Sequence, residues 1–364
     1  MNERPVTRVA VLWSHLSGYL NACLRELDRR GVTVFTSWFR SSSAAPFDED
    51  AFGWLRTKHS REWKDSASIV TPDLIAGLED FRPEILLVSG WNHPGYRAAA
   101  RCFRGRAIRV LAMDNPWEER PRQWLGRLIA PWYVRPLFDA AFVPGERQFQ
   151  FARRLGFADG EIRIGLYAPD TEAFRRPVDA PAQGQGFLFV GRLVEDKGIA
   201  TLAAGYRRYR EVSESPWALT VAGTGPLGRL LEGIPGVEQL GFVQPSALPA
   251  LMHRHACLVV PSQRENFGVQ ILEGATAGMA IIATTACGAT VHVVRDRLNG
   301  NVIPAADPGA LSKALAYVER SFKASEFSHA SESLARQFTT KIWADEVLSP
   351  EFPRGILEVR SHVR

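Results

Sequence analysis

The chain has 364 residues, 46% of them hydrophobic, enough for two domains of ordinary size, each with its own core. Lys and Arg outnumber Asp and Glu, 44 to 39, and the net charge of +5 favours anionic substrates or an anionic membrane surface. The basic residues are scattered without a C2H2, RRM or KH signature, which disfavours nucleic acid as a partner, and Cys23, Cys102, Cys257 and Cys287 form no C-x-x-C pair for zinc or thiol redox chemistry.

The opening M-N-E-R-P-V-T-R runs straight into a strand-like segment, and no stretch nears the roughly 20 apolar residues of a membrane span. A cytoplasmic protein is expected, with membrane contact at most peripheral, at the inner face. Short β-rich runs then alternate with helical patterns, as in parallel α/β architecture. Strands are expected at 9–13, 32–36, 85–89, 108–113, 140–143 and 162–164, with a helix over 20–29. Residues 41–68 fit no simple βα unit and read as a loop that turns basic, an excursion over the first domain. The segment 175–186, R-R-P-V-D-A-P-A-Q-G-Q-G, has the composition of a linker.

A second series follows, with strands at 187–190, 219–222, 237–240, 257–260, 281–283 and 302–304 and helices at 198–211, 247–253, 269–277 and 308–319. Its near-continuous apolar strands require helices on both faces. The expected fold is α/β: two Rossmann-like domains in tandem, 1–174 and 187–337, with parallel sheets facing each other across a cleft. The tail 338–364 contains T-K-I-W-A-D-E-V-L, an amphipathic helix expected to pack back on the first domain. In open sheets of this kind ligands bind beyond the carboxyl ends of the strands.

Two carboxylates stand out. Glu265 and Glu273 bracket E-N-F-G-V-Q-I-L-E, where an apolar strand has ended and a helix begins. A helix start offers free N–H groups and a dipole that favour an anion, and carboxylates accept hydrogen bonds from hydroxyls, so a phosphate-bearing, hydroxyl-rich ligand fits. On the loop after the first strand of the second series, Gly191, Arg192 and Lys197 bring together a forked cation and a compact one, suited to a diphosphate; the competing reading is two solvent-facing loop residues. Gly223, Gly225 and Gly228 spell G-x-G-x-x-G after a strand. The acidic residue that a dinucleotide site needs about 20 positions further on is missing, since P-S-A-L-P-A stands there, and Pro226 interrupts the turn.

In order and spacing, G-R-L-V-E-D-K-G, V-A-G-T-G-P, L-G-F-V, V-V-P-S, E-N-F-G-V-Q-I-L-E and C-G-A-T-V-H-V-V-R-D-R-L-N-G-N-V-I-P resemble the GT-B glycosyltransferases of family 4, the glycosyl transferases group 1. The resemblance is strong over 162–318 and more diffuse before it, where S-G-Y-L-N-A-C-L-R-E-L-D-R-R-G-V-T-V is similar to the family's opening loop, helix and second strand. It implies transfer of a sugar from a nucleotide diphosphate to a glycan or lipid-linked acceptor, with retention of configuration, without a metal ion and without a cofactor other than the nucleotide sugar. By motif matching, Arg192 and Lys197 hold the diphosphate, the backbone of Phe267, Gly268 and Val269 adds N–H contacts, Glu273 takes the ribose hydroxyls, and Glu265 faces the donor sugar. The backbone at Gly241, Phe242 and Val243 meets the base. A non-catalytic nucleotide- or glycan-binding module on the same fold is the alternative.

The first domain is expected to supply the acceptor side, with Ser17, Gly18 and Tyr19 on its first βα loop and further loops at 89–96 and 113–117. Relatives in the family place a histidine near the last of these, whereas this chain has Asp114 and Asn115; His93, His15 and Asp114 are therefore the candidates for orienting or deprotonating the acceptor hydroxyl. Residues 118–136 interleave Arg120, Arg122, Arg127 and Arg135 with Trp124, Trp132 and Tyr133, a composition suited to an anionic interface or to an ordinary helix with its apolar side in the core.

Overall fold

A computed structural model of the chain describes residues 6–40, 52–56, 58–177 and 184–349. It divides into two compact units, Met1–Ala168 with Thr340–Arg364, and Pro169–Thr339.

The first unit runs β1 (Arg8–His15), α1 (Gly18–Arg29), β2 (Thr33–Phe39), α2 (Gly53–Arg56), β3 (His59–Trp63), α3 (Thr71–Phe81), β4 (Ile85–Ser89), α4 (Pro94–Cys102), β5 (Ile108–Ala112), α5 (Pro121–Tyr133), β6 (Ala140–Val143), α6 (Glu146–Arg154) and β7 (Ile162–Ile164). Its parallel sheet has the order β3-β2-β1-β4-β5-β6-β7. The chain winds outward from β1 in one direction and from β4 in the other, so the order reverses between these two strands.

The region read from sequence as an excursion over the domain holds α2 and the edge strand β3 instead, which pairs Phe35–Phe39 with His59–Trp63. The strand is H-S-R-E-W, part exposed at the sheet edge, and so carries no apolar run to announce it. The part of the expected excursion over residues 41–51 lies outside the described residues.

Between β5 and β6 a buried ion pair joins strands that otherwise present only apolar side chains. Arg109, 1% exposed, donates through Nε and Nη2 to the two oxygens of Asp139, both at 2.9 Å, and through Nη1 to the carbonyls of Ala100 and Pro136. With its donor groups paired in this way, the guanidinium is tolerated in the core.

The second unit runs α7 (Thr171–Phe174), β8 (Gly184–Val190), α8 (Ile199–Val212), β9 (Leu219–Ala222), β10 (Val237–Gly241), α9 (Leu248–His253), β11 (His255–Val260), α10 (Val269–Thr276), β12 (Ala280–Thr284), α11 (Thr290–Val293), β13 (Gly300–Ile303), α12 (Pro308–Ser321) and α13 (Ala324–Ala335). Its parallel sheet has the order β10-β9-β8-β11-β12-β13, reversing between β8 and β11. The first strand starts at Gly184, inside the expected linker, because that residue pairs with His255 on β11. Residues 178–183 of the linker are not among those described. The division at Ala168/Pro169 falls before the expected boundary at 174, since Phe174 of α7 is buried and His253 of α9 bonds its carbonyl at 2.8 Å.

The last described helix, α14 (Thr340–Leu348), belongs to the first unit and packs on α1. Trp343 is buried against Phe142 and donates its indole N–H to the carbonyl of Leu166 at 3.0 Å, while Arg30, just after α1, pairs with Asp345.

Candidate functional site

The order reversal in each sheet parts two neighbouring loops and leaves a crevice at the carboxyl ends of the strands. In the second unit these are the loops after β8 and β11. They are tied together: the N–H groups of Gln263 and Arg264 both donate to the carbonyl of Asp196, at 2.8 and 3.1 Å. Gly198 opens α8 at φ 70°, where a Cβ would stand 2.0 Å from the carbonyl oxygen of Pro261. Only glycine lets the two loops approach so closely.

That approach brings Lys197 and Glu265 together. The ammonium is ion-paired with Glu265 Oε2, which also accepts from Gln270 Nε2 at 3.2 Å, and the two side chains keep 17% and 14% of their surface exposed. Arg192 follows Gly191 on the same loop, exposed and in no ion pair with a described residue. Gly268 caps the start of α10 at φ 97° beside the Glu265 side chain, so the helix N-terminus opens at this loop. Phe267 is buried, its ring packed with His292 and Phe338 and its carbonyl accepting from the Ala289 N–H at 2.7 Å. Val269 is the first residue of α10.

Glu273 stands one turn into α10, half buried, and its carboxyl group has no hydrogen-bond donor among the described residues. Burial, reinforced by the Asp170 carboxylate, pushes its carboxyl up to about 7. A group in that state gains from a partner that donates hydrogen bonds. Phe242 and Val243 lie beyond β10 at the sheet edge, both half buried, with Gly241 at φ 71° making the turn. In the sheet order β10 is separated from β8 by β9, so these two residues stand to the side of the Lys197–Glu265 pair.

The glycines of G-x-G-x-x-G serve the same crevice by packing. A Cβ on Gly223 would lie 1.8 Å from the carbonyl oxygen of Gly191, and one on Gly225 2.5 Å from that of Leu193. Gly228 opens a short 3-10 turn, Gly228–Leu231, where a dinucleotide site needs an α-helix N-terminus. The motif holds the β9 loop against the Arg192 loop.

The first unit has its own cavity, about 360 Å³, at the reversal between β1 and β4. Tyr19, His93 and Asp114 line it together with His15. Gly18 is not a lining residue; with Tyr19 it forms the first turn of α1, which Ser17 caps, so neither belongs to the preceding loop as expected. His93 bonds Ser66 through Nδ1 at 2.7 Å and packs edge-on to Phe39 and Tyr96. Burial, His15 and Arg97 lower its pKa, which keeps the imidazole neutral at pH 7. Tyr167, which no sequence motif marks, completes the cavity. Its hydroxyl donates to Asp114 Oδ2 at 3.1 Å and its ring meets that of Tyr19 at 4.9 Å. Burial, with the Asp114 charge adding to it, pushes the Tyr19 hydroxyl up to about 12. The available signal for Tyr167 is position: it follows β7 at its carboxyl end, where ligand-facing residues of such sheets lie.

Among the described residues no group of three or more His, Cys, Asp or Glu side chains is placed to hold a metal ion, and no helix is long and apolar enough to cross a membrane.

Residues 184–320, from β8 through nearly all of α12, match the family model described as Glycosyl transferases group 1. A glycosyltransferase of Methanocaldococcus jannaschii, itself uncharacterized, is 28% identical over 164 residues, 43% of this chain and 41% of that protein. The chain thus spans about two fifths of the length of that relative. Among the solved structures that match nearly the whole chain are a glycosyltransferase of Rickettsia africae, with a TM-score of 0.75, 13% identity and coverage of 98% of this chain and 100% of that one, and HepE of Anabaena in complex with UDP, with a TM-score of 0.70, 14% identity and the same coverage. Those likenesses show the fold, two Rossmann-like domains of the GT-B class.

Proposed function

We propose that the protein is a nucleotide-sugar-dependent glycosyltransferase that transfers a sugar to a glycan or lipid-linked acceptor, with retention of configuration and without a metal ion. The observation that carries this reading is the gathering of Arg192, Lys197, Glu265 and the start of α10 at the β8/β11 reversal, within the segment that matches the glycosyl transferases group 1 model.

The donor's C–O bond to diphosphate breaks as the acceptor oxygen bonds the same carbon, and negative charge grows on the leaving phosphate. Arg192, Lys197 and the N–H groups of α10 stand where that charge develops, and cationic and dipolar groups fixed in advance are commonly the largest catalytic contribution. They take the role a metal ion fills elsewhere. Glu265 orients Lys197 through their ion pair and offers its remaining oxygen to the sugar hydroxyls. Glu273 accepts from the ribose. The chemistry of the donor is supported by the UDP bound in the structurally similar Anabaena protein.

In the first unit, Asp114 and the neutral His93 line the cavity that receives the acceptor, and Tyr167 holds Asp114 in place. The acceptor proton passes to the cavity's acceptor groups or to the departing diphosphate. A cytoplasmic enzyme of surface polysaccharide or glycolipid biosynthesis fits this substrate class. The test is release of free nucleoside diphosphate from a donor sugar when acceptor is added to purified protein. A protein that binds nucleotide sugars yet releases none with any acceptor would be a binding module instead.

A further inference from the structure

The helix α5 is amphipathic the wrong way round for a soluble domain. A surface helix ordinarily turns its apolar stripe inward. Here Trp124, Leu125, Leu128, Ile129 and Trp132 point outward, with Leu128 67% and Trp132 77% exposed. Their spacing of i, i+1, i+4, i+5 and i+8 sets them in one arc of roughly 140° on a helix of 3.6 residues per turn. The inward face is made of small and polar residues: Ala130 is the only buried residue of the helix, with the half-buried Gln123 and Gly126 on the same side. Six of the twelve large hydrophobic residues exposed among the described ones lie on this one helix. Scattered apolar residues need no explanation, but a contiguous stripe marks an interaction surface.

Charge selects the occupant. The helix carries no acidic residue, and Arg122 and Arg127 fall at opposite edges of the apolar arc. Arg127 lies over the Trp124 ring at 5.5 Å, and Arg97 of α4 over Tyr133 at 5.7 Å. Just before the helix, Glu118 is neutralised by Arg120 at 2.8 Å. An apolar stripe with tryptophan at both ends and arginines along its borders matches a bilayer surface, where the rings sit at headgroup level and the cations meet phosphate. A protein partner would instead be expected to present carboxylates to the arginines and a closed apolar pocket to the tryptophans.

We propose that α5 is a membrane-docking helix that lies in the headgroup layer of an anionic bilayer, with Trp124, Leu128 and Trp132 inserted and Arg122 and Arg127 on lipid phosphates. This deepens the reading of a lipid-linked acceptor and rests on it only for its purpose, because vesicle binding and nucleoside diphosphate release are measured separately.

The experiment is co-sedimentation of the full chain with phosphatidylcholine vesicles, with and without phosphatidylglycerol, together with its oligomeric state in solution. The wild type should bind vesicles containing phosphatidylglycerol and bind the neutral ones more weakly. Leu128→Gln/Trp132→Gln and Arg122→Glu/Arg127→Glu should each lower partition about tenfold or more, since binding combines apolar burial with attraction to anionic lipid. Both variants change exposed side chains outside the donor and acceptor sites, so an unaltered Tm and unaltered donor binding are expected of them. Wild-type protein left in solution by both vesicles, or variants that bind as well as wild type, would overturn the proposal. So would a wild-type dimer that the Leu128→Gln/Trp132→Gln variant dissociates without any vesicle binding, which would give the face to a second copy.

Discussion

Lys197 carries the sharpest expectation at the scale of single residues. Its ammonium is already held by Glu265, in a loop fixed by backbone bonds to Asp196, so in the proposed reaction it would meet the departing diphosphate without reorganisation. Lys197→Ala should lower turnover about a hundredfold or more, the range seen when one preorganised stabiliser of developing charge is removed. Near-wild-type turnover in a folded variant would remove Lys197 from the mechanism. Glu273 makes a prediction in pH. Its carboxyl stands at about 7 in the folded chain, raised from 4.5 by burial and then by Asp170. Between those values the folded chain holds a proton that the unfolded chain has lost, so this group makes stability fall as pH rises through the window. Glu273→Gln should flatten that fall in Tm measured against pH. It should also abolish the gain in donor affinity expected as the carboxylate ionises on going from about pH 6 to 8, because an ionised carboxylate accepts from hydroxyls more strongly than the neutral acid. Parallel Tm curves for the two proteins would contradict the assignment.

Gly198 is the position on which the crevice at the β8/β11 reversal turns at the scale of elements. It ends the Lys197 turn, opens α8, and passes 2.0 Å, as measured from a would-be Cβ, from the Pro261 carbonyl. Gly198→Ala forces the β8 and β11 loops apart and strains a left-handed backbone, a cost of about 1 to 3 kcal/mol in urea unfolding. Donor affinity should weaken with it; a variant as stable as wild type would show that the loops are free to separate. The strands of both units are legible in the sequence, apart from β3, and the motif loops of the second unit are the most legible part. Its inner strands are apolar runs such as Cys257–Val260, whereas the edge strand β10, V-E-Q-L-G, is largely exposed and not covered on both faces as expected. The family resemblance of its loop motifs implies that Lys197, Glu265 and Glu273 serve one ligand. The ion pair between the first two is not legible, since nothing in their spacing of 68 positions says that two loops are bonded. In the first unit the edge strand β3 escapes sequence reading because a polar, half-exposed strand has no apolar signature, and Tyr167 because its role comes from sitting opposite Asp114 and not from any motif. The orientation of α5 is equally hidden. Its periodicity is that of any amphipathic helix, and only burial shows which side is turned out.

For the whole molecule, the first unit is closed by residues from the far end of the chain. Trp343 on α14, 1% exposed, fills the space beside Phe142 and reaches the Leu166 carbonyl, so the core beside the N-terminal sheet is complete only when the chain has returned to it. Trp343→Ala should destabilise the first unit by about 3 to 5 kcal/mol, the usual loss for a large aromatic side chain removed from a core. Thermal or urea unfolding would show it, and a change under about 1 kcal/mol would mean that α14 is dispensable to that core. The same unit carries the cavity proposed for the acceptor, while the second carries the cations and carboxylates proposed for the donor, and that proposed division of labour stands or falls with the donor site. The most direct measurement is calorimetric titration with a panel of UDP and GDP sugars against wild type and Arg192→Ala/Lys197→Ala. Selective binding of one nucleotide sugar by the wild type, weakened about tenfold or more in the double variant, is the result predicted from charge-assisted contacts to phosphate. Binding of no nucleotide sugar, or binding unchanged by loss of both cations, would contradict it.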